Sequence, residues 1–366
     1  MPDIDAQRRA LKLACKTELR EFKEMTPAEQ FREMADWVRE NEVAHDSYGV
    51  GDFIAGFETK IAQLLGKPAA IFIPTGVMAQ LIAVIIWSER NRLPRFGAHA
   101  TSHLLIHEQQ TFQALVKMHG VVVGHKLRPI LASDFTAIAE PLSCLVVELP
   151  AREIGGQLPE WGELEALKAA AAEAGTPLHM DGARLWESRA YYQRTWAEIA
   201  EGFSSVYVSV YKGLGGISGS LLAGDEDFIR QARVWLRRLG GNVVTQSPAV
   251  VSTAIRLEKR LAILESCYQR TLSLAASLEA VPGIRILPRR PQVNMLHVYF
   301  DADKETLLSA RDEIARQEGY WLFNALEEAE VPGWCKTEWY VGDNMLPIGD
   351  ETVLNLFHQL MAKASR

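Results

Sequence analysis

Leu178-His179-Met180-Asp181-Gly182-Ala183-Arg184-Leu185 decides the fold when it is read with Ser209-Val210-Tyr211-Lys212-Gly213-Leu214-Gly215-Gly216. Each stretch has one form: a short apolar run that reads as a buried strand, then a charged residue where the strand stops. Asp181 follows Pro177–Met180, and Lys212 follows Ser205-Val206-Tyr207-Val208-Ser209. In an open parallel sheet the carboxyl ends of the strands line one crevice, and ligands sit there. Asp181 and Lys212 are therefore placed to grip opposite sides of one ligand. The plainer alternative is a surface salt bridge beside a loop.

Working outward, strands and helices alternate. Ala69–Ile73 is a short apolar strand. It enters Pro74-Thr75-Gly76-Val77-Met78-Ala79-Gln80 and then a helix to about Glu89. A strand, a Thr-Gly turn and a helix start suit a phosphate, although any strand-to-helix turn uses such residues. Leu142–Leu149 is a strand with Glu148 near its end, Trp161–Ala174 an alanine-rich helix, and Gly219–Gly224 a further strand. The alternation from 69 to 224 predicts an α/β domain with a mostly parallel sheet.

Upstream, Thr26-Pro27-Ala28-Glu29 is a capped helix start running to about Glu40. The glycine-containing loop His45–Asp52 carries Tyr48, either a core anchor or a phenol reaching the ligand, and Phe53–Leu65 has helical spacing. Downstream, 227–239 is a helix with a solvated arginine face, and 248–281 is one long helical stretch. Pro282-Gly283 marks a boundary to a smaller α+β domain with strands at 293–300 and 338–341 and helices at 306–317 and 352–362. The expected division is an N-terminal helical segment 1–45, a large α/β domain 46–281 and a small domain 282–366.

The 366 residues are 48% apolar and 23% charged, with a net charge of -7 and a pI near 5.8. This is the composition of a globular protein. No basic block is present, so nucleic acid is not expected as a partner. The four cysteines are scattered, which fits a reducing compartment. The chain opens Met-Pro-Asp-Ile without an apolar run behind it, so no signal peptide is expected. The longest apolar stretch, Met78–Trp87, is interrupted by Gln80 and is too short for a bilayer. A cytoplasmic location follows. Five of the nine histidines fall within 99–125. His103 and His107 are four apart beside Glu108, but no metal-ligand spacing accompanies them and no metal is expected. His103 either lies over a flat cofactor ring or is an ordinary loop histidine.

A lysine and a carboxylate at two strand ends meet the needs of pyridoxal phosphate. The amine forms a Schiff base with its aldehyde, and the carboxylate pairs with the pyridinium nitrogen so that the ring becomes an electron sink. The glycines after Lys212 let the backbone turn tightly there. With Asp46-Ser47-Tyr48-Gly49, Glu58, the turn 73–79, His103 and Glu108, these motifs make the chain resemble the threonine aldolase family. That family lies within the aspartate-aminotransferase-like class of pyridoxal phosphate enzymes, which also holds the β-eliminating lyases.

The resemblance implies a three-layer α/β sandwich of fold type I. Lys212 would be the Schiff-base lysine, Asp181 the partner of the ring nitrogen, and His103 the stacking group that assists proton movement. Thr75, Gly76 and Val77 would hold the phosphate, with Ser209 and Arg184 also on the cofactor. Tyr48, Glu148, Arg184 and Lys336 would face the substrate, Lys336 standing where the family has an arginine. A homodimer or homotetramer with the site at the subunit interface is implied. The reaction implied is cleavage of a β-hydroxy-α-amino acid to glycine and an aldehyde. β-Elimination or transamination of another, bulkier amino acid is the alternative, and a non-catalytic binding protein on the same scaffold a third reading.

Overall fold

The computed structural model describes residues 4–19, 22 and 25–364. They form two compact units. One is Met25–Ala262; the other combines the described residues of 1–24 with those of 263–366. These cuts differ from the three segments expected, because the first helix packs with the C-terminal residues. Ile4–Ala14 sends Arg8 to Asp312 at 2.8 Å, and Thr17–Glu18 pairs in parallel with Tyr320–Trp321.

The first unit is built on a seven-stranded sheet. Its strands are β1 (Ala69–Ile73), β2 (Arg95–Ala98), β3 (His119–Val122), β4 (Leu145–Glu148), β5 (Leu178–Gly182), β6 (Ser205–Ser209) and β7 (Ser220–Gly224), in the order β1-β7-β6-β5-β4-β2-β3. All pairings are parallel except those of β7, which runs antiparallel to β1 and β6. Left-handed glycines explain the reversal: Gly213 and Gly215, with φ of 73° and 77°, turn the chain back after Lys212. β2 carries no sequence signal of its own. Four residues including a glycine do not alternate, and the strand exists because its neighbours complete its hydrogen bonds.

Register sets the site. Glu148 lies opposite Asp181, Asp181 opposite Tyr207, and Ser209 opposite Ser220. The carboxyl ends of β4, β5 and β6 therefore come together at one edge. Behind them the helix Gly76–Asn91 is buried all round from Ala79 to Trp87, as an apolar helix in the middle of a large core must be. The helix Glu226–Arg238 instead buries Phe228, Ile229, Ala232 and Leu236 and leaves its arginines outside. Pro27–Glu40 starts on the full capping box of Thr26 and Glu29, worth ~1 kcal/mol. The single helix expected over 248–281 is two, Ser247–Ala254 and Leu257–Leu278. Arg256 sits at the break, donating to the Ser252 carbonyl at 2.8 Å and pairing with Glu33.

The second unit has a four-stranded antiparallel sheet of β8 (Ile284–Leu287), β9 (Met295–Phe300), β10 (Glu327–Glu328) and β11 (Cys335–Tyr340), in the order β10-β11-β9-β8. The helices Lys304–Glu318 and Asp350–Ala364 contribute to the same apolar core, around Phe300, Trp339 and Phe357. This is the α+β layout expected. No helix among the described residues is long and apolar enough to cross a membrane.

Candidate active site

At the carboxyl edge of the large sheet lies a cavity of about 260 Å³. Its wall includes Asp181 from the end of β5, Tyr207 from β6, and Tyr211 and Lys212 from the turn that follows β6. Thr75, Gly76, Val77 and Gln80 enter from the helix start, and His103 and Glu108 from the loop after β2. The Thr75 hydroxyl caps that helix by accepting from Met78 N–H at 3.3 Å. The first N–H groups of the helix are left to face a ligand, which favours an anion. Gly76 has to be glycine, since a Cβ there would run into the Tyr207 hydroxyl. Ser209, fully buried, accepts from the N–H groups of Tyr211 and Lys212 at 3.3 and 3.2 Å and so shapes the turn that presents the lysine.

Burial governs the charges. It raises Asp181 above the usual carboxylate range, and Lys212 only partly opposes this. The same desolvation, with Arg184 adding to it, lowers Lys212 below an ordinary ammonium. Glu148 is pushed up to about 8 by burial and then by Asp181. One of its oxygens accepts from Arg152 N–H at 3.1 Å, and the other is buried with no partner. His103 Nδ1 lies 3.0 Å from Glu108 Oε1. Burial and then Lys212 lower His103 to about 4, while burial and then Asp181 raise Glu108 to about 8. Both shifts remove charge, so this contact is a hydrogen bond between neutral groups at pH 7, not an ion pair.

Of the residues singled out from sequence, Lys212, Asp181, His103, Thr75, Gly76 and Val77 converge on the cavity. Glu148 and Arg184 act on Lys212 and Asp181 electrostatically from beside it. Ser209 is spent on the backbone turn. Tyr48 is not a core anchor: it is 52% exposed, in a left-handed conformation, with its N–H on the Val244 carbonyl at 2.8 Å. Lys336 belongs to the second unit, where it pairs with Glu330 at 3.2 Å. The polar lining residues Gln80, Tyr207 and Tyr211 are among those given no role from sequence. The signal for Gln80 was present, as the lone polar residue in the buried run Met78–Trp87.

These residues fit pyridoxal phosphate. A half-buried lysine of reduced basicity shares a cavity with a buried carboxylate, and a glycine-led helix start opens into the same space. The comparisons agree. The sequence model of the β-eliminating lyase family matches residues 26–303. A Listeria monocytogenes EGD-E protein provisionally assigned as an L-allo-threonine aldolase is 34% identical; the alignment covers 99% of this chain and 100% of that one, with a TM-score of 0.92. An Exiguobacterium protein provisionally assigned as an aromatic amino acid β-eliminating lyase/threonine aldolase is also 34% identical, over 97% and 99% of the chains, with a TM-score of 0.90. The low specificity L-threonine aldolase of Escherichia coli K12 is 28% identical over 73% of this chain and 80% of its own length. The chain belongs to the β-eliminating lyase family and is a pyridoxal-phosphate-dependent lyase.

Proposed function

We propose that the protein cleaves a β-hydroxy-α-amino acid to glycine and an aldehyde. The observation that carries this reading is the His103–Glu108 pair, a neutral imidazole held beside Lys212 and Asp181. Bound pyridoxal phosphate supplies the sink for the electrons released at the substrate α carbon. Lys212 is the amine that would bond the cofactor aldehyde; burial keeps a larger share of it unprotonated and nucleophilic. Asp181 would hold the proton on the ring nitrogen, the Gly76–Val77 amides the phosphate, and Arg184 the substrate carboxylate. Where His103 donates Nδ1–H to the Glu108 oxygen 3.0 Å away, the lone pair stays on Nε2. Nε2 is then the base for the β-hydroxyl proton as the Cα–Cβ bond breaks. Burial keeps His103 neutral across the physiological range, so its ring lone pair is not lost to protonation there.

The assembly we infer is a dimer or a pair of dimers with the site at the interface. Apolar side chains exposed together support it: Tyr48, Val50, Val243 and Val244, joined by the Tyr48–Val244 hydrogen bond. The four cysteines are free thiols, in keeping with the reducing, cytoplasmic location we infer. The reaction is tested by product analysis. Threonine, allo-threonine and phenylserine should release an aldehyde with glycine; pyruvate from serine or cysteine, with no aldehyde from the hydroxy amino acids, would replace aldol cleavage by β-elimination.

A further inference from the structure

Gln80 is buried to 1% exposure in the helix Gly76–Asn91, and its amide is satisfied at one end only. Oε1 lies 2.7 Å from His179 Nε2, and the amide nitrogen has no partner. A buried donor left unmade costs ~1–3 kcal/mol, so which end of the amide faces which way matters. The side chains behind Gln80 decide it. Trp87 Nε1–H can only donate, and it donates to Ser205 Oγ at 2.8 Å. Among the hydrogen bonds of the described residues, the acceptor facing the Ser205 hydroxyl proton is His179 Nδ1 at 2.8 Å. His179, wholly buried and held neutral by that burial, carries its single ring proton on Nε2 and donates it to Gln80 Oε1. The Gln80 NH2 is therefore turned away from His179. Gln80 lines the cavity with Thr75, Gly76, Val77 and Asp181. A helical side chain leans over the turn before it, here the turn of Gly76, beside which the Tyr207 hydroxyl also lies.

We propose that Gln80 is a cofactor-holding residue: its NH2 donates a hydrogen bond to an acceptor atom of pyridoxal phosphate. Trp87, Ser205 and His179 are positioning residues that fix the direction of the amide. The inference rests on the assignment of the cofactor and goes beyond it, since the relay belongs to this chain's own side chains. Because its members come from the helix, β5 and β6, the donor is fixed before the cofactor arrives.

Titrating the cofactor-free protein with pyridoxal phosphate, followed by the absorbance of the lysine-bound cofactor, tests it. Wild-type protein comes first: no binding there removes the cofactor assignment and this inference with it, whereas weakened binding in the variants alone reads on Gln80. Gln80→Met should raise the dissociation constant about tenfold, the loss of one hydrogen bond. His179→Phe, which keeps Gln80 but frees its amide to turn, should raise it less. A dissociation constant within about twofold of wild type in Gln80→Met overturns the proposal. Should the variants fail to fold, a crystal structure of the wild-type holoenzyme decides. Gln80 Nε2 within about 3.2 Å of a cofactor acceptor supports the assignment; contacts to protein or water alone overturn it.

Discussion

Two buried charge clusters in this chain have opposite fates. In the second unit Arg311, 1% exposed, donates to Asp312 at 2.9 Å and to the carbonyls of Phe323 and Asn324 at 3.1 and 2.8 Å. Its plane lies 3.9 Å over the Trp321 ring, and Asp312 also takes Arg8. The protein supplies the counter-groups itself. Burial lowers Arg311, but from so high a value that the guanidinium stays charged. At the sheet edge of the first unit, three carboxyl groups crowd around one lysine and one imidazole, with Arg184 acting on them from beside the cavity. Asp181, Glu108 and Glu148 are driven upward, and Lys212 and His103 downward. Buried charge is structural where the fold completes its pairing, and marks a site where the pairing waits for a ligand.

The contrast can be broken by substitution. Lys212→Ala should lower kcat/KM about a thousandfold or more while leaving the circular dichroism and melting profile near wild type; activity within tenfold of wild type would reject the lysine's role. Arg311→Ala should do the reverse. It should lose about 3 kcal/mol of stability in urea unfolding, because Asp312 is left buried with half its pairing, while kcat changes far less than in Lys212→Ala. Equal losses of stability in the two variants would erase the distinction.

The smallest effect is a pH dependence. Glu108 in the folded chain holds its proton to about pH 8, against an ordinary value of 4.5. Between those values the unfolded chain has released a proton that the folded one keeps, so stability falls as pH rises and levels off above about 8. Glu108→Gln removes that burden and should make the fall from pH 5 to pH 8 shallower. Its activity should also lose the rise near pH 8 that comes when the Glu108 carboxylate forms and supports a protonated His103. Unfolding curves and kcat profiles across pH read both; unchanged slopes would mean that Glu108 is not the titrating group.

Much of this was legible in the chain. The capping box at Thr26, the strand-turn-helix at 69–91, and a charge at each of two strand ends are local patterns, and each stands where it was expected. Other features were not. β2 has no pattern of its own, and β7 reads as any buried strand although its direction is reversed. The break at Arg256 lies inside an apolar spacing that continues across it. His103 and Glu108 were visible as neighbours, but their neutral pairing follows from desolvation beside Lys212 and Asp181.

The sequence by itself determined the family, the fold class and most of the elements of the large domain, because turn chemistry, apolar runs and strand-end charges act over a few residues. Only the tertiary structure decided which titratable groups lose their charge, which way the Gln80 amide points, and to which unit the first helix belongs. Those outcomes depend on desolvation and hydrogen-bond completion by residues far apart in the chain, such as Trp87, His179 and Ser205 around one amide.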